Sequence, residues 1–194
     1  NTRSAVEDGR NAAGGVKREV ILSQGSGAGI GTLAVQSDDR VLVGGMFQWK
    51  AGPSHTYVNL ARFDAGLAPD LSFPTNLALN GIVSGLAVDA SDRILVGGTF
   101  TELQHQPRTG VARLGVDGGL DPGFDAGAIR YLNGPGSVYH LAVLPDGGCY
   151  VSGSFDQVGG RSTRNIARLT ATGAVDPGFG FSLGTTEHET IQAL

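Results

Sequence analysis

Thirty-two glycines among 194 residues, almost no helix-type apolar periodicity, and one segment written three times predict an all-β protein assembled from repeated, stacked sheets. Glycine at roughly twice its ordinary share of about 7% disfavours helices and suits tight turns and close backbone approach. The repeated segment reads RVLVGGMF from Arg40 to Phe47, RILVGGTF from Arg93 to Phe100 and GCYVSGSF from Gly148 to Phe155. Upstream, LAV recurs at Leu33–Val35, Leu86–Val88 and Leu141–Val143, in steps of 53 and 55 residues. Downstream, LARF (Leu60–Phe63), VARL (Val111–Leu114) and IARL (Ile166–Leu169) follow, and each unit closes on DLSF or DPGF at Asp70–Phe73, Asp121–Phe124 and Asp176–Phe179.

Each unit reads as four short strands joined by turn residues. In the second unit, strand one covers about Val83–Val88, and Ala90-Ser91-Asp92-Arg93 turns the chain into strand two, Ile94–Phe100. A polar loop leads to strand three near Val111–Val116. Asp117-Gly118-Gly119 turns again into an outer strand around Phe124–Ile129. Ile94, Leu95 and Val96 are apolar in succession, the signature of a strand covered on both faces. A lone four-stranded sheet cannot cover both faces, whereas stacked sheets can. A period near 53 with four strands per unit is that of a β-propeller blade.

The recurrence then has a packing cause. Gly45, Gly98 and Gly153 are expected at the crowded inner end of each blade, with Phe47, Phe100 and Phe155 filling the wedge between blades. Burying such an aromatic stabilises by roughly 1.5–3 kcal/mol. Arg62, Arg113 and Arg168 each precede an aspartate by eight residues, Asp70, Asp121 and Asp176. An Arg–Asp contact is expected in each blade, and its threefold recurrence marks it as structural rather than catalytic.

The run ILVGGTF…GVARLGVDGGLDPGFD resembles the delta-60 repeat, a β-propeller repeat of large bacterial surface and secreted proteins. The likeness spans about Ile30 to Phe179. G-x-F, A-R-L and D-G-x-L-D-x-x-F follow one another in order, except that DAGLAPDLSF in unit one moves the turn glycine to Gly66. The resemblance implies the fold and an extracellular or cell-surface location. It brings no catalytic motif.

Blades are expected over about 30–73, 83–124 and 138–179, with a partial blade at 180–194 whose IQAL (Ile191–Leu194) repeats the start of strand one. Residues 1–20 match poorly and read as a linker, cap or altered outer strand. About three and a half blades do not close a ring, which takes about four or more. The ring is therefore partial or completed by another copy. The start at Asn1, without a methionine or an apolar leader, favours an excised piece of a longer chain.

Composition narrows the partners. A net charge of −4 argues against nucleic acid, which calls for a basic stripe. No apolar run reaches the ~18 residues that span a bilayer, so no membrane insertion is expected. Cys149 is a lone thiol in an apolar strand and reads as a small core residue. His55, His105, His140 and His188 show no metal-ligand spacing. Asp117, Asp121 and Asp125 stand four apart, not in calcium-loop spacing; turn and cap roles are expected, with a Ca²⁺ site the minor alternative. GSGAGIG (Gly25–Gly31) lacks the following helix that a phosphate loop requires.

The units differ most in the loops between strands two and three, Gln48–Tyr57, Thr101–Gly110 and Asp156–Asn165. On one rim these would gather Trp49, Lys50, His55, Tyr57, His105, Arg108, Arg161 and Arg164. Loops on a rigid scaffold commonly carry binding, and Trp49 beside Lys50 suits a sugar or a protein anchor. The plain alternative is solvated tips with Trp49 tucked over the blade edge. The expected function is a non-catalytic interaction module of an exported repeat protein, binding protein or glycan. The alternatives are part of a propeller hydrolase or lyase with its site at the central channel, and an architectural subunit pairing through open blade faces.

Overall fold

The computed structural model describes residues 9–10, 16–17, 29–51, 53–75 and 77–180. The rest of the expected N-terminal cap, the IQAL segment of the partial blade and His188 lie outside the described residues. A short hairpin, β1 (Gly9–Arg10) and β2 (Val16–Lys17), comes first. Blade one is β3 (Gly29–Val35), β4 (Val41–Lys50) and β5 (Thr56–Phe63). Blade two contains β6 (Val83–Val88), β7 (Ile94–Gly98), the small rim hairpin β8 (Glu102–Leu103) and β9 (Gln106–Pro107), and β10 (Val111–Leu114). A second linking hairpin, β11 (Ile129–Tyr131) and β12 (Gly134–Pro135), leads into blade three. That blade contains β13 (Ser137–Val143), β14 (Cys149–Ser154), rim strands β15 (Gln157–Val158) and β16 (Arg161–Ser162), and β17 (Ile166–Leu169). The described residues contain no helix.

The sheets run β3-β4-β5, β6-β7-β10 and β13-β14-β17, all antiparallel. The blade is therefore three regular strands rather than four. The closing segment touches its own sheet by one bridge per unit, at Phe63–Pro69, Leu114–Leu120 and Leu169–Val175. The expected outer strand over Phe124–Ile129 is a strap instead. The Asp125 N–H donates to the Thr172 carbonyl of the next blade at 2.9 Å, and Ile129 begins β11, which pairs with β15 of that blade.

Side-chain parity explains the consecutive apolar run. Ile94 and Val96 join the core between blades one and two, and Leu95 joins the core between blades two and three. Phe47, Phe100 and Phe155 are buried in these two cores. Cys149 is fully buried, and burial pushes its thiol up to about 12.

The glycine pair has two separate causes. A Cβ on Gly45, Gly98 or Gly153 would stand 2.0–2.1 Å from the carbonyl oxygen of Gly29, Ile82 or Ser137, at the start of strand one of the same blade or just before it. There the ladder slips by a bulge, at Ile30/Thr32, Val83/Gly85 and Val138/His140. The crowding expected at these glycines is thus internal to the blade. The residue before each glycine faces the neighbour: a Cβ on Gly44 would lie 2.5 Å from Val83, and one on Gly97 would lie 2.9 Å from Val138. Unit three has Ser152 at that position, buried, its Oγ without a hydrogen-bond partner among the described residues.

The repeated arginines of units one and two are latches between blades. Arg62 Nε donates to Asp70 at 2.8 Å, its Nη1 donates to the Val116 carbonyl of blade two, and its guanidinium lies 4.6 Å over Phe73. Arg113 repeats this with Asp121 at 2.7 Å, the Ala171 carbonyl of blade three at 2.8 Å, and Phe124 at 4.8 Å. Arg168 meets Asp176 and turns its other nitrogen to Asp146 in its own blade. Its side chain is 32% exposed, against 2% and 4% for Arg62 and Arg113. At both Asp70 and Asp121, burial opposes ionisation. Hydrogen bonds and arginine charge outweigh it, from Ser72 and Arg62 on Asp70 and from Arg113 and the Gly123 N–H on Asp121, and hold both carboxyls below their ordinary range.

Candidate functional site

The loops between strands two and three occupy equivalent positions in successive blades, each tied to the segment entering its blade. In unit two, the Asn80 carboxamide oxygen accepts from the Thr101 and Glu102 N–H groups, and the Leu77 carbonyl accepts from Gln104 at 2.6 Å. In unit three, β11 pairs directly with β15. The loops therefore project from anchored edges.

The residues expected on this rim divide. Tyr57 does not belong to it. Facing Trp49 across the β4–β5 ladder, it is fully buried, and its hydroxyl donates to the Asp70 carbonyl at 2.8 Å. Burial, with the charge of Asp70, pushes its phenol above the usual value against the pull of Arg62. Trp49 lies at the end of a strand rather than on a loop tip. It is half-buried, stacked on Tyr57 with ring centres 5.5 Å apart and tilted on Phe63 at 5.2 Å. Arg108 is mostly buried; its Nη1 donates to the Pro107 carbonyl at 2.7 Å and lies 3.5 Å from Asp125. His55 is half-buried, its carbonyl accepting from Ala51 at 2.8 Å. His105 is open, in the left-handed region at φ 60°, with Nδ1 3.5 Å from Glu102.

Lys50, Arg161 and Arg164 are exposed. Among the described residues, Arg40, Arg62, Arg93, Arg108, Arg113 and Arg168 each have a carboxylate within 4 Å. Between Gly29 and Gly180 the other lysines and arginines are Lys50, Arg130, Arg161 and Arg164. Lys50 ends β4, Arg161 starts β16, Arg164 follows β16, and Arg130 lies on β11, which pairs with β15. The nearby Asp156 carboxylate, at the surface, accepts from the Leu132 N–H at 2.8 Å.

Three segments of the chain, residues 36–73, 90–124 and 144–179, match the family described as a domain of unknown function (DUF5122) beta-propeller. The chain belongs to this β-propeller family. No curated protein matches the chain. The family unit begins at the turn after strand one and ends at the closing phenylalanine, Phe73, Phe124 or Phe179. The physical blade takes in the preceding strand as well.

Arg130 was not singled out in the sequence. It lies with Thr109, Ala128, Ile129, Asn133, Gly134 and Pro135 around an open cleft of about 140 Å³. Its signal is a length difference: ten residues separate Phe73 from Val83, and fourteen separate Phe124 from Val138, room for the β11–β12 hairpin. Small-molecule pockets run to roughly 300–1,000 Å³, so this cleft suits one group of an extended partner. Among the described residues no three His, Cys, Asp or Glu side chains converge as metal ligands do. Asp117 and Asp121 accept instead from the N–H groups of Gly119 and Gly123.

Proposed function

We propose that this chain is an interaction module of an exported bacterial repeat protein of the delta-60 type, which binds an anionic protein or glycan along the rim of its blades without catalysing a reaction. The partition of cations carries the reading. Arginines repeated from blade to blade are buried against carboxylates, whereas Lys50, Arg130, Arg161 and Arg164 keep their charge open on one edge of a chain whose net charge is −4. Open cations on a rigid scaffold attract and orient an anionic partner. Arg161 and Arg164 can fork onto sulfate or carboxylate groups. The half-buried Trp49 beside Lys50 offers an aromatic edge at the same rim.

Immobilised heparin, a neutral glycan of similar length and a polyglutamate peptide test this by surface plasmon resonance. The reading expects binding to at least one anionic probe and none to the neutral one, weakening as salt rises. Each of Arg161→Ala, Arg164→Ala and Lys50→Ala should weaken it by roughly 1.5- to 5-fold. Equal binding to the neutral glycan, or anionic binding indifferent to all three substitutions, would sink it.

A further inference from the structure

The hairpin β11–β12 is an addition of the third unit: the described part of the equivalent segment, between Phe73 and Val83, forms no strand. Its two-residue turn, Leu132–Asn133, lies between the paired Tyr131 and Gly134. Leu132 is 73% exposed, the most open large apolar side chain among the described residues, and Tyr131 beside it is 40% exposed. Leu132 also stands at φ 55°, a left-handed backbone that glycine and asparagine adopt far more readily than a bulky residue. The Asp156 carboxylate, accepting from the Leu132 N–H at 2.8 Å, holds it there. Neither burial nor turn chemistry accounts for a leucine at this tip, and unfavourable backbone held by its surroundings gathers at sites that contact ligands.

The open cleft belongs to the same hairpin. Ala128, Ile129 and Pro135 give it hydrocarbon walls, and Arg130 and Asn133 line it with a guanidinium and a carboxamide. Arg130 stands outside the set of arginines with a carboxylate within 4 Å. An aliphatic side chain next to a carboxylate matches this lining. A sulfated sugar supplies the anion but no hydrocarbon group for the cleft or for Leu132. Tyrosine and arginine are also among the side chains on which protein contacts most often depend.

We propose that the β11–β12 hairpin binds an extended polypeptide segment in which an aliphatic residue stands beside an acidic one. The aliphatic side chain enters the cleft, the carboxylate meets Arg130, and Tyr131 and Leu132 pack on the segment beyond it. The inference rests on the reading of the rim as a binding edge and narrows its partner from an anion in general to a polypeptide.

The test pans the immobilised full chain with random short peptides displayed on phage and measures the enriched sequences, synthesised and labelled, by fluorescence anisotropy. They should carry aspartate or glutamate next to leucine, isoleucine or valine. Leu132→Asn should weaken their binding by roughly 5- to 30-fold and Arg130→Gln by roughly 1.5- to 5-fold. Leu71→Asn, at a leucine 56% exposed in the closing segment of unit one, should leave it unchanged. The melting temperature of Leu132→Asn should hold or rise, because asparagine suits the turn, which separates lost binding from lost fold. No enrichment, enriched peptides without the acidic–aliphatic pair, or binding indifferent to Leu132→Asn overturns the proposal. Heparin bound through Arg161 and Arg164 with no peptide enriched overturns this inference alone; failure of both probes overturns the rim reading with it.

Discussion

Arg113→Ala should be among the most damaging single substitutions in the chain, and Arg168→Ala among the mildest, although both remove the same repeated arginine. Arg113 is 4% exposed, bonded to Asp121 at 2.7 Å and to the Ala171 carbonyl at 2.8 Å, with Phe124 beneath it. Truncating it strips the mostly buried Asp121 of its arginine, leaving the Gly123 N–H as a donor, and removes the Arg113 bond to the Ala171 carbonyl, a loss of about 3–5 kcal/mol for a broken buried pair. Against a total stability of about 5–15 kcal/mol this is a large part. In a chain of this size it amounts to a melting shift of roughly 6–20 °C, at about 2–4 °C per kcal/mol. Arg168 is 32% exposed and, among the described residues, bonds within its own blade, to Asp176 and Asp146. Exposed pairs contribute about 0.2–1 kcal/mol, so Arg168→Ala should shift melting by less than about 4 °C. Arg113→Lys, which keeps the charge but loses the fork, should recover only part of the loss. Melting curves by circular dichroism, with urea midpoints in parallel, give the comparison. Equal losses at the two positions would refute the latch, since the difference rests wholly on the neighbouring blade.

Gly98→Ala places a methyl 2.0 Å from the Ile82 carbonyl oxygen and should cost about 2 kcal/mol or more in a urea melt, whereas Gly180→Ala, with nothing within 4 Å, should be near neutral. Phe100→Ala should cost about 3–5 kcal/mol in the same measurement, because the ring is fully buried. Asp70 and Asp121 have folded pKa values below their unfolded ones, so their contribution is complete above about pH 4 and is lost as pH falls through the depressed folded values. Asp121→Asn should flatten the fall in melting temperature below pH 4 relative to the parent chain. The Cys149 thiol, pushed up to about 12 by burial, should resist a thiol-reactive dye at pH 8 in the folded protein and react promptly in urea.

The repeat was legible because every junction between blades makes the same demand. Arg62 and Arg113 solve one geometric problem, so the sequence writes the solution again at the same offset from aspartate. Partners supplied by the backbone leave no such mark. The strap at Asp125 looks like the start of a strand, because its hydrogen bond to Thr172 uses only main-chain atoms. The two glycines of VGG are identical letters, yet Gly44 clears the next blade and Gly45 clears a bulge in its own. Trp49 and Tyr57 flank the turn signals Gly52-Pro53-Ser54, so they read as loop; cross-strand pairing draws both into the sheet. The open cations of the rim stood in the sequence, but their isolation is visible only once the six paired arginines are located.

The latches point one way. Arg62 waits for a carbonyl 54 residues ahead, and Arg113 for one 58 residues ahead. On a ribosome adding about 5–20 residues per second, each newborn blade spends roughly 3–12 s with its guanidinium unanswered before the turn that receives it has been made. Completion of a blade is therefore always in arrears of its synthesis, and translation speed sets how long each unfinished seam stays open to the wrong neighbour.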